Sequence, residues 1–439
     1  MNSQKAPSLK RELGVFGATL MGLGSIIGTG VFVSIGIAAG VAGAAVILSV
    51  AIAAIIAACN GLNSAQLAAN HAVSGGTYEY GYKYLNPALG FTAGWMFLLA
   101  KIASAATAAL GFAGYLLNVT NLGDRGLLIL IAVVVVAILT LVVLSGIERS
   151  NLANIVIVSI SLLSLSFFIA VGLPKVTTEN LTPFFPKSIA GVLHGSALMF
   201  VAYTGYGRIA TMGEEARSPR TTIPKAMIVT IGMTMLLYML VAIASVGSVG
   251  AEVLSAATNG QAAPLQAVVS KLGVWGGSQI LAIGALFAML GVLLNLILGL
   301  SRVLLAMARR HDMPGILARL NRQATPDLAV IVVGGAIALI VVLGNNVKTT
   351  WSFSAFNVLI YYAITNLAAL QIPPPRAPLS PVVGLDRVTC LWVFSFLGRV
   401  ANLAARNGFN ISGISMAAAY PASCNLIKTR GEINLPVFF

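Results

Sequence analysis

Hydrophobic side chains along this chain come in long unbroken blocks rather than at alternate or helically spaced positions. Residues 127–144, 155–173 and 227–246 run with hardly a polar interruption, and about 20 apolar residues in helical geometry cross a hydrocarbon core of about 30 Å. A membrane β-barrel would show short alternating segments instead. In lipid the backbone must satisfy its own hydrogen bonds, so the blocks are predicted to be α-helices. Ten spans follow, at 13–39, 42–69, 88–117, 127–144, 155–173, 189–211, 226–246, 280–308, 328–343 and 351–370, with a weaker eleventh at 381–397. The predicted fold class is an all-α polytopic membrane protein.

Composition agrees with that pattern and excludes a soluble chain. Hydrophobic residues make up 58% of the 439, charged residues only 9%, and mean hydropathy is +0.93, whereas a soluble domain is roughly a quarter charged. The net charge of +14 points to membrane topology, not to nucleic acid, because most of the charges lie in short loops. Lys5, Lys10 and Arg11 precede the first span. Counting spans forward puts Lys83, Arg217, Arg220, Lys225, Arg309, Arg310, Arg319, Arg322 and Arg376 on the same side. Arg125, Lys175, Lys187, Lys271 and Lys348 fall opposite. The positive-inside rule then predicts a cytoplasmic N-terminus, in a plasma (inner) membrane. The first span is read as retained, since no small-residue cleavage site follows it. Cys59, Cys390 and Cys424 are scattered and there are three histidines, so no metal site, cofactor or disulfide is expected.

Chemistry enters with two glycine clusters at mid-membrane depth. The first span contains Gly22-Leu-Gly-Ser-Ile-Ile-Gly-Thr-Gly30. Each glycine costs roughly 1 kcal/mol relative to alanine in a helix interior, so the cluster weakens the helix there. Close helix packing through Gly24 and Gly28 is the plain alternative. A phosphate loop is a poor one, because no strand precedes it. The sixth span contains Phe200-Val-Ala-Tyr-Thr-Gly-Tyr-Gly-Arg208. Two glycine-interrupted helices, each opening a set of five spans, point to an inverted-repeat transporter with its site at the two interruptions. The domains read as a cytoplasmic segment 1–12, repeats at 13–173 and 189–370, and an atypical C-terminal region 371–439. A half-helix starting near Gly28 offers backbone N–H groups to a carboxylate. Carbonyls freed between Ala202 and Gly205 accept from an ammonium, so a zwitterion is held without any charged side chain.

The chain resembles the amino acid–polyamine–organocation (APC) transporter family, with its LeuT-type five-plus-five core and broken first and sixth helices. The residues that carry the likeness are Gly24-Ser-Ile-Ile-Gly-Thr-Gly30, Ser74-Gly-Gly-Thr-Tyr-Glu-Tyr80 leading to Gly94-Trp95, Ala202-Tyr-Thr-Gly-Tyr-Gly-Arg208, Gly213-Glu-Glu215, and Pro219 to Pro224. It covers about residues 11–370 and is expected to fade beyond Gln371. The resemblance implies that Ser25, Ile27, Gly28, Thr29 and Gly30 hold the substrate carboxylate. The carbonyls of Val201, Ala202 and Tyr203, with the interruption at Gly205, hold its amino group.

The loop at 74–87 reads as an interfacial segment anchored by Tyr78, Tyr80, Tyr82 and Tyr84; the resemblance adds an inner gate that uses Tyr78 and Glu79. Glu214 and Glu215 read as surface partners of Arg217 and Arg220, or as a gate link to Arg11. Lys101 and Arg208 are cations inside spans, where charge is costly. Lys101 is either a structural cation or a coupling group, as a proton carrier or a fixed substitute for a bound sodium ion. Arg208 is read as bonding freed helix carbonyls, and His194 as a packed polar residue.

The reading is a secondary active transporter of a neutral amino acid, working by alternating access in the lipid bilayer, with protons or exchange as the driving force. No carboxylate stands at mid-depth in the ten spans, which disfavours the alternative of a cationic amino acid or polyamine permease. A transport-dead accessory subunit is the alternative from another class. A channel lacks its polar pore, and an enzyme lacks its catalytic constellation.

Overall fold

A computed structural model of the protein describes residues 14–71, 76–120, 125–145, 151–185, 188–210, 217–321, 325–344 and 346–372. The regular elements among them are all helical. In chain order they are α1 Val15–Ile26, α2 Thr29–Phe32, α3 Ser34–Ala42, α4 Val46–Asn70, α5 Thr77–Tyr84, α6 Pro87–Thr120, α7 Arg125–Leu144 and α8 Asn151–Gly172. There follow α9 Ser188–Tyr203, α10 Gly207–Ala210, α11 Pro219–Val249, α12 Ala251–Gln261, α13 Pro264–Lys271, α14 Gly277–Arg309, α15 Asp327–Gly344 and α16 Val347–Leu370. The C-terminal region beyond Ile372, with its expected eleventh span, lies outside the described residues.

Nine helical runs among the described residues are long and apolar enough to cross a membrane. The run Thr29–Ala68 is divided at Gly43, whose φ of 64° leaves helical geometry, and Val15–Ile26 is a shorter apolar helix. The block pattern had merged α1, α2 and α3 into one span, because hydropathy does not register a backbone interruption. It also passed over α5, α12 and α13, whose mixed composition gives no apolar run.

Contacts between helix ends check the crossing count. Tyr78 of α5 bonds Asp312, just beyond α14, so the two segments share one membrane face. Six runs separate them, from Pro87–Thr120 to Gly277–Arg309, and an even number is required. On the other side, the N–H of Thr177, beyond α8, donates to the carbonyl of Gly247 at 3.0 Å. Two runs, Ser188–Tyr206 and Thr221–Val249, lie between.

Helices in lipid gain little from hydrophobicity against one another, so small residues and polar pairs hold them together. α6 packs chiefly on α14 and α16, α4 on α9 and α11, and α3 on α9. Along the α6–α16 seam Thr107 pairs with Thr350 at 2.8 Å and Ser104 with Ser354 at 2.7 Å. Asn63 of α4 donates to Asn366 of α16 at 2.9 Å. The Trp351 indole N–H donates to the carbonyl of Leu198 at 2.9 Å, tying α16 to α9.

Candidate functional site

The first interruption lies where glycines and β-branched residues meet. α1 stops at Ile26, and Ile27 turns extended (φ −73°, ψ 110°) while its N–H still reaches the carbonyl of Leu23. Gly28 then starts α2 as its N-terminal cap. Val33 carries the chain on into α3, its N–H bonded to Thr29 and its carbonyl accepting from Gly36. A half-helix therefore opens at Thr29 and Gly30, whose N–H groups have no carbonyl one turn earlier within it. On the α1 side, the Ile26 carbonyl accepts from the hydroxyl of Tyr238 at 2.9 Å. The Ser25 hydroxyl donates to the Met21 carbonyl at 2.9 Å, within its own helix.

The sixth span behaves differently from the expected break. α9 runs through Val201, Ala202 and Tyr203, and the chain then tightens into a 3-10 turn, Thr204–Tyr206, before α10. A 3-10 turn keeps its backbone paired from i to i+3, so it tightens the helix without releasing many carbonyls. The Val201 carbonyl also accepts from the Thr204 hydroxyl at 2.7 Å.

The two interruptions are in contact. A Cβ placed on Gly205 would stand 2.3 Å from the Ser25 carbonyl oxygen and 2.5 Å from its carbon. One on Gly30 would meet the Ala202 side chain at 2.9 Å and the Tyr238 hydroxyl at 2.8 Å. Ser25, Ile27, Gly28, Thr29, Gly30, Val201, Ala202, Tyr203 and Gly205 are thus gathered in one region of the fold. The packing alternative holds as well. Gly24 faces Asn154 and Val158 of α8, and Gly28 faces Val292 of α14.

Lys101 reaches this region from α6. Its ammonium donates to the Thr204 hydroxyl at 2.8 Å, and Thr204 hands its own proton to Val201. Phe200 and Tyr206 pack against Tyr362, with ring centroids 5.4 and 5.7 Å away, and Tyr203 lies 5.2 Å from Tyr238. Arg208 belongs to α10, but its side chain lies outside the described residues, as do Glu214 and Glu215.

The expected gate segment is a helix docked on its neighbours. α5 is seated on the start of α6 through glycine on glycine: a Cβ on Gly81 would lie 2.6 Å from the Gly90 Cα. The hydroxyls of Tyr78 and Tyr82 both donate to the carboxylate of Asp312, that of Tyr82 at 2.7 Å. Glu79 pairs with Arg310 at 2.7 Å, and the Arg310 guanidinium lies 4.2 Å from the Tyr82 ring centroid. The end of α14 creates this aim. His311 adopts a left-handed φ of 67°, and the Asp312 N–H turns back to the Met307 carbonyl. Burial first, and then the bond to Asp312, push the Tyr82 hydroxyl up to about 12 and raise Tyr78 as well. Both stay protonated donors at physiological pH.

Overpacking a close crossing costs about 1–3 kcal/mol, so Gly81→Ala is expected to lower the thermal unfolding midpoint of the purified protein. An unchanged midpoint would mean that α5 moves off Gly90 without loss.

Thr204, Tyr238, Arg310 and Asp312 escaped the sequence reading as site residues. Tyr238 had a signal, as a lone phenol inside an apolar block. Asp312 had less, being one acid after a basic run.

The sequence matches the amino acid permease family over residues 13–402. The match passes Gln371, so the likeness does not end there as the motifs had suggested. An uncharacterized transporter of Mycobacterium tuberculosis is 38% identical over 417 residues, covering 93% of this chain and 91% of the relative. A branched-chain amino acid permease of Bacillus subtilis is 32% identical over 420 residues, covering 90% and 89%. A mitochondrial cationic amino acid transporter of Arabidopsis thaliana is 27% identical over 384 residues, covering 82% and 62%.

Proposed function

The chain belongs to the amino acid permease family, and from that premise we propose that it is a secondary active transporter of neutral amino acids. The substrate zwitterion binds between the two interruptions. Its carboxylate meets the N–H groups of Thr29 and Gly30 at the opening of the α2–α3 half-helix, where the helix dipole favours negative charge. Its ammonium meets carbonyls at the end of α9, with Val201 as the leading acceptor. The observation that carries this reading is the close approach of Gly30 to Ala202, where a Cβ on the glycine would stand 2.9 Å from the alanine side chain, which brings the start of α2 and the end of α9, of opposite polarity, to one place.

The remaining architecture is read in the same frame. The first interrupted helix through α8 forms one five-helix repeat and α9 through α16 the second, related as in the LeuT-type fold, and alternating access moves one set against the other. The N-terminus is cytoplasmic, which puts α5 and Asp312 on the inner face. A branched-chain permease covered over nearly its whole length supports a neutral side chain. The relative named for cationic amino acids is more distant and covered less fully.

Uptake into proteoliposomes, screened over all amino acids, tests the proposal. A neutral amino acid is expected to accumulate. Accumulation driven by an imposed inward proton gradient identifies proton coupling, and accumulation that needs internal amino acid identifies exchange. No uptake and no binding of any amino acid by folded protein overturns the reading in favour of an accessory subunit.

A further inference from the structure

We propose that Lys101 sets the charge selectivity of the site: its ammonium excludes amino acids with cationic side chains, and polyamines, from the space beside the tightened turn of the sixth span. The inference rests on the reading that substrate binds between the two interruptions, and it assigns the residue that chooses among substrates there.

Three observations carry it. Lys101 donates to Thr204 at 2.8 Å, and Thr204 adjoins Gly205, the residue in contact with the first interruption. The cation is therefore within a side chain's length of the substrate ammonium site. The Lys101 side chain is only partly buried, while Ala100 before it and Ala103 after it are fully buried. α6 packs chiefly on α14 and α16, and the partly exposed lysine crosses from α6 to the turn after α9.

The third observation is the placement of negative charge. Glu79, Glu179, Glu252, Asp312 and Asp327 are the described carboxylates, and each lies outside the membrane-crossing helices or at the first residue of one. Among the described residues nothing neutralises Lys101, because its hydrogen-bond partner there is a threonine hydroxyl.

A second cation brought beside it meets repulsion that no described carboxylate relieves. Two like charges about 6 Å apart, at an effective dielectric near 20, repel by an amount worth about a hundredfold in affinity. The substrate's own α-ammonium meets the same field in every amino acid, so that cost cancels between substrates, and a neutral side chain adds nothing to it. An acidic one loses only its own hydration, part of which the ammonium replaces. The sign of the charge, and not polarity alone, is what the site selects.

The test uses purified protein and a labelled neutral amino acid that it binds, competed by norleucine, lysine, glutamate and putrescine. Norleucine and lysine have matched chains and differ in charge. Wild-type protein is expected to bind lysine about a hundredfold more weakly than norleucine, and at least tenfold more weakly than glutamate; an apolar pocket without a fixed cation would reject both ions alike. In Lys101→Gln the ratio of lysine to norleucine affinity is expected to rise about a hundredfold, and putrescine is expected to begin competing. Lys101→Arg keeps the wild-type ratio, because guanidinium is always charged. Equal competition by lysine and norleucine in the wild type overturns the inference, as does an unchanged ratio in Lys101→Gln. If the glutamine variant does not fold, the wild-type order of glutamate against lysine decides. Failure of every neutral amino acid to bind the wild type strikes instead at the reading of the site itself.

Discussion

Gly205→Ala is expected to abolish amino acid binding, with a loss of at least a hundredfold in affinity. The alanine Cβ would sit 2.3 Å from the carbonyl oxygen of Ser25 and 2.5 Å from its carbon, and neither atom can rotate away because both are backbone. The turn at Thr204–Tyr206 and the end of α1 must move apart by most of an ångström. A displacement of about 1 Å in positioning groups is enough to cost about a hundredfold in function. The N–H groups at Thr29 and Gly30 and the carbonyl of Val201 would then no longer span one zwitterion. The cost to folding is smaller, about 1–3 kcal/mol for overpacking at one contact. Gly232→Ala supplies the control, since a Cβ there meets nothing within 4 Å; it is expected to bind as wild type does. Equilibrium binding of the best substrate, read beside the thermal unfolding midpoint, separates the two effects. Wild-type affinity in a folded Gly205→Ala protein would show that the two interruptions do not together form the site.

How much of this was legible beforehand depends on the range of the interaction. The crossing helices follow from local hydropathy, because each block must be helical in lipid whatever it packs against. The interruption at Ile27 and Gly28 was legible for a related reason, since four glycines between Gly22 and Gly30 weaken a helix through its own backbone. The sixth span shows the limit. Its glycines, Gly205 and Gly207, marked the place, but whether the backbone opens or tightens to 3-10 is decided by neighbours such as the Thr204 hydroxyl on the Val201 carbonyl. Lys101 could be placed at mid-membrane depth by counting, yet its partner Thr204 lies 103 positions away, a distance that only the fold closes. The tyrosines of α5 read as interfacial anchors because their partner, Asp312, is more than 200 positions away. That partner also changes which residue in the segment carries the energy. Glu79, singled out as a charge, has the weaker bond.

Asp312→Ala is therefore expected to release α5, whereas Glu79→Gln leaves it nearly in place. Tyr78 is 1% exposed, and with Asp312 removed its hydroxyl loses the acceptor that both phenols share. A hydrogen bond to a charged group contributes about 1.5–3 kcal/mol, and a buried donor left unsatisfied carries its full desolvation cost. The Glu79–Arg310 pair is short, at 2.7 Å, but its arginine side chain is 38% exposed. Solvent-exposed pairs of this kind are worth about 0–1 kcal/mol, and the guanidinium, 4.2 Å from the Tyr82 ring centroid, is expected to stay there when Glu79 is neutralised. Amide hydrogen exchange across Thr77–Tyr84 reads the difference. Asp312→Ala should speed it by about tenfold or more, and Glu79→Gln by no more than a few-fold, the factors that follow from 1.4 kcal/mol per tenfold. If α5 closes the inner end of the path, the same order should appear in transport, with Asp312→Ala raising passive exchange of a neutral amino acid and Glu79→Gln close to wild type. Equal protection of α5 in wild type and Asp312→Ala would mean that the glycine seat at Gly81 and Gly90 holds the helix by itself, and that the tyrosine–aspartate bonds are not its latch.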